Sequence, residues 1–458
     1  VSRMISGRSR WDLLPPAHPA IGQQPVSRPF ERPAGRRDSE RLNASLHRQQ
    51  LLDGYGEQQQ QRVERELQQW QREQQLEDEH QLRARCAEIM SETGPSVEEV
   101  FRAYFDCRQT KRNSYSAAAF EQNLERHLMR LHRELNDGSY RIGRSTCFVV
   151  SYPKWREVWA ANFRDRIVHH VIYNRLADHF YRRFIHDSYA CIPGRGSLFG
   201  ARRVHGFMRS ATEGWQRRAW FLQADLANFF VSIDKGVLAG LVLRHVDTPW
   251  LRRLVSQVIH HDPTRNPIVN SPIWKFREVP RHKSLFYSRG RGLPIGNLSS
   301  QFFANVYMNE LDQLVKRELG IRWYGRYVDD VVMIGREPQQ LNAAFEVMEA
   351  FVGERLRGAF HPSKTVRNTC DKGINFCGYI LKPHRVYLRR RSVRAMQQVA
   401  RSNARHLDPE RWAAQVNSYL GLCRHANTYR LRRQLAIETG ATFAPHLTKV
   451  KAKRKSNP

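Results

Sequence analysis

The sequence has no apolar run of the roughly 18 or more residues that a bilayer span requires. No membrane partner is therefore expected. Its opening stretch, VSRMISGRSRWDLLPP, holds no extended apolar segment of the kind secretory signals carry, so a cytoplasmic location is the expectation. Cysteine is scarce: seven are scattered over 458 residues, the number is odd, and no pair stands as C-x-x-C. That excludes a zinc ribbon and a disulfide framework and predicts reduced, buried thiols. Acidic residues are few beside basic ones, 44 against 75, which leaves a formal net charge of +31. Such self-repulsion opposes compactness and serves no small-molecule enzyme. It is the footprint of a protein that lies along a polyanion.

Hydrophobic residues make up 41% of the chain, which excludes wholesale disorder. Residues 1–45 scatter Pro15, Pro16, Pro19, Pro25, Pro29 and Pro33 among Arg, Ser and Gly and predict a disordered basic tail. Residues 46–94 are rich in Gln, Glu and Arg, with Val63, Leu67 and Trp70 in helical spacing. They predict a long solvated helix, either solitary or serving self-association or an accessory protein. From residue 95 the chain reads as globular α+β. Pro95-Ser96-Val97-Glu98-Glu99 predicts a helix start, and short apolar strands are predicted at 147–153, 218–226, 321–335 and 374–381. An Arg-rich helical module follows to residue 440, and 441–458 is a basic tail.

Two adjacent carboxylates interrupt the third of those strands, in Tyr327-Val328-Asp329-Asp330. An unbroken strand would send Asp329 and Asp330 to opposite faces, whereas a tight hairpin would hold the pair at an exposed turn. Upstream, FLQADLANFF ends an apolar strand on Asp225. Paired in one sheet, two such strand ends converge. Carboxylates brought that close need divalent cations to offset their repulsion. Two Mg²⁺ ions can activate a hydroxyl and stabilise a leaving oxygen in in-line phosphoryl transfer. With the basic charge, this points to a nucleic-acid 3′ end and a nucleoside triphosphate as the reactants.

On these residues the sequence resembles the reverse transcriptases, with several motifs in the family's order. The resemblance implies a right-hand polymerase with fingers at 95–215, palm at 216–385 and a helical thumb at 386–440. It implies that Asp225, Asp329 and Asp330 are the catalytic carboxylates. Asp225 and Asp329 would bridge two Mg²⁺ ions, with Mn²⁺ as a substitute, Asp330 more peripheral and the Leu226 carbonyl an extra ligand. Lys154 and Arg156, in YPKWREVW, would hold the incoming triphosphate and template. Phe230 would block a ribose 2′-OH, or else simply fill core. Gly296 and Gln301, in RGLPIGNLSSQ, would contact template and nucleotide, Gly296 by letting backbone approach a base pair. Lys364, in HPSKT, would lie near the leaving pyrophosphate or be a plain surface lysine. Phe376-Cys377-Gly378-Tyr379 would grip the primer, and Arg389, Arg390, Arg391 and Arg394 would meet duplex phosphates from the thumb.

The implied partners are an RNA template, a DNA or RNA primer and deoxynucleoside triphosphates. Ser300-Gln301 stands where most of the family carries Ser-Pro. With FRDRIVHHVIYNRL and LPIGNLSSQFFANVY, it resembles the bacterial enzymes of diversity-generating retroelements and their unclassified, defence-associated relatives. The implied function is cDNA synthesis from RNA in such a retroelement. An antiphage-defence enzyme and a non-catalytic RNA-binding scaffold are the alternatives. The insert at 260–290 is not part of the minimal retroelement enzyme. No H-N-H endonuclease, paired-Cys zinc element or RNase H domain is expected.

Overall fold

The computed structural model describes residues 64–65, 67–77, 94–109, 114–152, 154–401 and 409–439. The tails expected at 1–45 and 441–458 lie outside the described residues. Of the Gln-rich stretch, residues 64–77 (66 excepted) are helical and mostly exposed. They belong to one unit, Val1–Glu88; the rest of the fold is built from Ile89–Pro458.

Helix α1 (Val97–Arg108) starts at a reciprocal capping box. Ser96 Oγ accepts from the Glu99 N–H at 3.2 Å, and the Glu99 carboxylate accepts from the Ser96 N–H at 2.9 Å. Helices α2 (Tyr115–Glu121) and α3 (Leu124–Asn136) lead to the antiparallel pair β1 (Thr146–Val150) and β2 (Arg156–Ala160). Helix α4 (Phe163–Tyr181) follows and is buried on most sides, with α1 packed along it.

Next come α5 (Ser197–Ala211), β3 (Trp220–Asp225), the single turn α6 (Phe229–Ser232), α7 (Lys235–Leu243) and α8 (Pro249–His260). The 260–290 insert is not a loose appendage. It supplies β4 (Ile268–Val269), parallel to β1, and α9 (Ile273–Arg277), and its Leu285 N–H donates to the buried Glu157 carboxylate at 2.9 Å.

Helix α10 (Leu298–Gln313), β5 (Trp323–Tyr327), β6 (Asp330–Gly335), α11 (Pro338–Glu354) and β7 (Val366–Thr369) complete the central layer. Its sheet is antiparallel in the order β5-β6-β3-β7. Alternate residues of β6 enter different cores: Val331 and Met333 join Leu341, Phe345 and Met348 of α11, while Val332 and Ile334 join Ala201, Val204 and Met208 of α5. Covered on both faces, the strand reads DVVMIG with no polar alternation. A meander of β8 (Ile374–Phe376), β9 (Tyr379–Lys382) and β10 (Arg385–Leu388) then leads into helices α12 (Arg390–Arg401), α13 (Pro409–Cys423) and α14 (Tyr429–Thr439).

Among the described residues no helix is long and apolar enough to cross a membrane. Among the described residues Cys107, Cys147, Cys370 and Cys423 are buried and Cys377 is half-buried. The exception to the expected burial is Cys191, which is exposed on a turn with φ +54°.

Tyr189 locks α5 to β5 by filling space that two glycines leave open. A Cβ on Gly325 would lie 2.4 Å from the Tyr189 hydroxyl oxygen, and one on Gly200 2.7 Å from its ring. Gly325→Ala should therefore lower stability by about 1–3 kcal/mol. Gly240→Ala, in the exposed interior of α7 with nothing within 4 Å, should raise it by about 0.5–1 kcal/mol. Urea unfolding midpoints of the two variants check both signs.

Candidate active site

The register of the central sheet brings the three predicted carboxylates together. Asp225 ends β3 directly opposite Asp330, which opens β6. Tyr327 and Asp330 close the β5–β6 hairpin, so the turn is Val328-Asp329, not Asp329-Asp330. The expectation of an exposed pair at the tip is corrected here: one aspartate is in the turn, the other is in the strand, and both are half-buried.

Val328 adopts φ +58°, a region that β-branched residues rarely enter. A buried side chain two residues earlier holds it there. Arg326 is fully buried, and its guanidinium donates to the Val328 carbonyl at 2.9 Å. The same fork reaches Asp312 at 2.9 and 2.7 Å, Asn305 Oδ1 at 3.2 Å and Ser188 Oγ at 3.0 Å. The Tyr324 hydroxyl donates to Asp312 at 2.7 Å. Burial opposes the Arg326 charge, but Asp312 overrides it and holds the guanidinium's pKa above its usual value.

Burial pushes the Asp329 carboxyl up to about 6, and the charge of Asp225 pushes the same way, while Lys364 and Arg156 pull it down. Burial also pushes Asp330 up to about 7, with Asp329 and Asp225 adding to it. Gln223 opposes that rise through bonds from Nε2 to both Asp330 oxygens at 2.9 and 3.2 Å. The Lys364 ammonium donates to Asp225 Oδ2. Lys154 is lowered by burial and by repulsion from Lys364, Lys283 and Arg156, with Asp225 working the other way. One small volume thus holds three carboxylates and a ring of cations.

Among the described residues no cluster of three His, Cys, Asp or Glu side chains forms a ready ion cage. The donor set nonetheless suits hard divalent cations. It offers carboxylate oxygens forced against their mutual repulsion, with the Lys364 ammonium as the present counter-charge.

The remaining predicted residues divide. The Leu226 N–H donates to the Asp329 carbonyl at 3.3 Å and joins strand end to turn. Phe230 is half-buried, its ring 5.4 Å from that of Phe229, and its carbonyl accepts from the Leu293 N–H at 2.7 Å. Gly296, at φ +123°, is crowded by the protein's own backbone. A Cβ there would lie 2.9 Å from the Trp159 carbonyl oxygen. Ile295 accepts from the Trp159 N–H at 2.7 Å and Asn297 from the Ala161 N–H at 3.0 Å, so this segment is pinned to β2.

Gln301 is exposed on the first turn of α10, whose N-cap is Asn297. Phe376 and Tyr379 are buried in the core at 0% and 2% exposure. Their side chains are not available to a primer, and only the Cys377-Gly378 turn between them is partly open. Arg390, Arg391 and Arg394 are exposed on α12. Arg389 instead turns inward, donating to the Asn375 carbonyl at 3.3 Å and favouring the charged form of Asp330.

Three contributors escaped the sequence reading. Gln223 stands two residues before Asp225 on one strand, so the period-2 rule would have put both on one face. Lys283, in the insert, carries no sequence signal toward the site. The Arg326–Asp312 pair was hidden because fully buried charges are rare.

A family model described as reverse transcriptase (RNA-dependent DNA polymerase) matches residues 151–381. The match covers half of the chain, and the chain belongs to this family. Its α+β architecture is that of the right-hand polymerases. Among solved structures it is similar to a chain of telomerase from Candida albicans in complex with a fragment of telomeric RNA, at 10% identity and a TM-score of 0.38. That likeness covers 66% of this chain and 60% of the telomerase chain, so this chain spans less than two thirds of it. No curated protein matches.

The folded chain holds the Asp329 proton to a higher pH than an ordinary carboxyl at 3.8. Between the two values the folded state binds more protons, so stability falls as pH rises from about 4 to about 6 and stays lower above. Asp329→Asn removes this loss. With divalent cations chelated, the variant should melt above the parent at about pH 8, and the gap should close below about pH 4. Melting scans at both pH values check this; a variant less stable at every pH would contradict it.

Proposed function

We propose that the protein is an RNA-directed DNA polymerase that extends a DNA or RNA primer on an RNA template from deoxynucleoside triphosphates. The observation that carries this reading is the convergence of Asp225, Asp329 and Asp330 at one end of the sheet, facing Lys154, Arg156 and Lys364. In this reading the fingers span 95–215, the palm 216–385 and the thumb 386–440.

Asp225 and Asp329, with the Leu226 carbonyl, would hold two divalent cations, Mg²⁺ or Mn²⁺. These would activate the primer hydroxyl and stabilise the leaving oxygen. Everything else falls to the chain's own groups. Arg156 offers a planar fork to triphosphate oxygens and Lys154 a point charge. Lys364, whose ammonium donates to Asp225, would lie near the leaving pyrophosphate. Gln223 keeps Asp330 oriented beside the pair. Phe230 would stand against the sugar and exclude a 2′-OH. Gly296 would act indirectly, by letting its segment seat on β2, and Gln301 would face the template from α10. Around the product duplex, the Cys377-Gly378 turn would meet the primer and Arg390, Arg391 and Arg394 the phosphates.

The finer reading is a diversity-generating-type retroelement enzyme, supported by Gln301. Proline at that position would fix φ and remove a backbone donor, whereas glutamine keeps the N–H, which donates to the Asn297 carbonyl at 3.4 Å, and adds an exposed side-chain amide. Defence against phage is the alternative role for the same chemistry.

Asp329→Asn should cut primer extension on an RNA template by orders of magnitude while RNA affinity, which rests on Lys and Arg, stays within about twofold. An extension assay beside a filter-binding curve checks it. Equal extension by variant and parent would end the polymerase assignment of this residue, and RNA binding with no extension by the parent would favour the scaffold.

Phe230→Ala should raise ribonucleotide incorporation relative to deoxyribonucleotide by about tenfold, or about 1.4 kcal/mol of lost discrimination. Single-nucleotide insertion kinetics measure the ratio. An unchanged ratio with a lowered melting temperature would make Phe230 core alone.

A further inference from the structure

We infer that the chain carries a second nucleic-acid site, a groove between α5 and the start of β5 that takes single-stranded RNA. The groove has a volume of about 690 Å³, and the residues that matter in it are Arg202, Arg203, Phe207, Arg322 and Trp323, with Asp187 at the floor. It is not an extension of the carboxylate cluster. Trp323 pairs with Ile334, whereas Asp330 pairs with Tyr327, so the groove is at the opposite end of the hairpin, about 13 Å along the strand.

Charge and aromatic faces alternate here. The Arg322 guanidinium stands 5.6 Å from the Trp323 ring centre and that of Arg336 5.9 Å. Arg203 stands 5.0 Å and Lys316 5.7 Å from the Phe207 ring. Asp187 is nearly buried and already saturated. It accepts from Arg203 at 2.8 and 3.3 Å and from the Tyr189 hydroxyl at 3.2 Å, with Lys316 at 3.7 Å. That leaves Arg202 and Arg322 exposed and, among the described residues, salt-bridged to no carboxylate.

A concave surface of guanidiniums laid on aromatic rings matches an unpaired strand. Bases stack on the half-buried Trp323 ring and on the planar cations, the buried Phe207 only backing Arg203, while the exposed Arg202 and Arg322 guanidiniums meet phosphates. A duplex hides its base faces and would use only the charges. An acidic protein segment would use the charges too, but not the stacked arrangement. The inference stands apart from the polymerase reading, because nothing in the groove takes part in it.

The test keeps the full chain and fills the main cleft first, with a saturating primer–template hairpin. A fluorescent short single-stranded RNA is then titrated in. The parent should bind it. Arg202→Glu/Arg322→Glu should bind at least about tenfold more weakly, with a salt slope shallower by about 0.7 for each phosphate left without its cation. Primer extension on the hairpin should be unchanged, which also shows the variant folded. Arg322→Lys, which keeps the charge but not the planar face, should fall in between. The proposal is overturned if the cleft-filled parent binds no second RNA, or if the double variant binds it as the parent does. It is overturned equally if duplex RNA or a glutamate-rich peptide displaces the probe as well as unlabelled single strand does.

Discussion

The site depends on one buried ion pair. Arg326 and Asp312 are both sealed from solvent, and every arm of the Arg326 fork has a partner. Removing one member of such a pair typically costs about 3–5 kcal/mol, because the survivor is left charged and unmatched. What the pair secures is the carbonyl of Val328, in a backbone region that itself costs about 1–3 kcal/mol. That turn sets where Asp329 projects. The same guanidinium ties in Ser188 and Asn305, and Asn305 donates to the Ala190 carbonyl at 2.8 Å. Residues 187–191, α10 and the β5–β6 hairpin are thereby fixed to one another around a single charged group.

On that frame the chain places carboxylates where their charges are unfavourable. Burial and mutual repulsion raise Asp329 and Asp330 together, and the chain offsets this with Lys364 on Asp225 and with Gln223 on Asp330. Gln223 also donates to the Asn375 carbonyl at 3.0 Å, and Arg389 reaches the same carbonyl at 3.3 Å. The β8–β10 meander is therefore bonded to the aspartates by side chains, not by a ladder of the central sheet.

Much of this was legible in the residues. The α1 start, the apolar β-prone runs, two of which (321–335 and 374–381) break into hairpins, and the pairing of two Asp-bearing strands follow from capping chemistry and β propensity, and those features place Asp225 beside Asp329 and Asp330. What could not be read was anything set by third partners. Gly296 is crowded by the Trp159 carbonyl, a neighbour that no local pattern announces. Phe376 and Tyr379 flank a turn and look outward in sequence, yet the meander folds both into the core beside Ile374 and Leu381. No strand is expected in the 260–290 insert, yet its Ile268–Val269 pairs with the edge of β1.

Under the proposed function Asp225 and Asp329, with Asp330 beside them, would hold divalent cations for nucleotidyl transfer. The most direct measurement is Mn²⁺ binding by electron paramagnetic resonance, on protein loaded with primer–template and a non-reactive nucleotide analogue. The account predicts bound Mn²⁺ in the parent and its loss in an Asp225→Asn/Asp329→Asn variant that still binds the primer–template. Equal Mn²⁺ binding by the two proteins would contradict it.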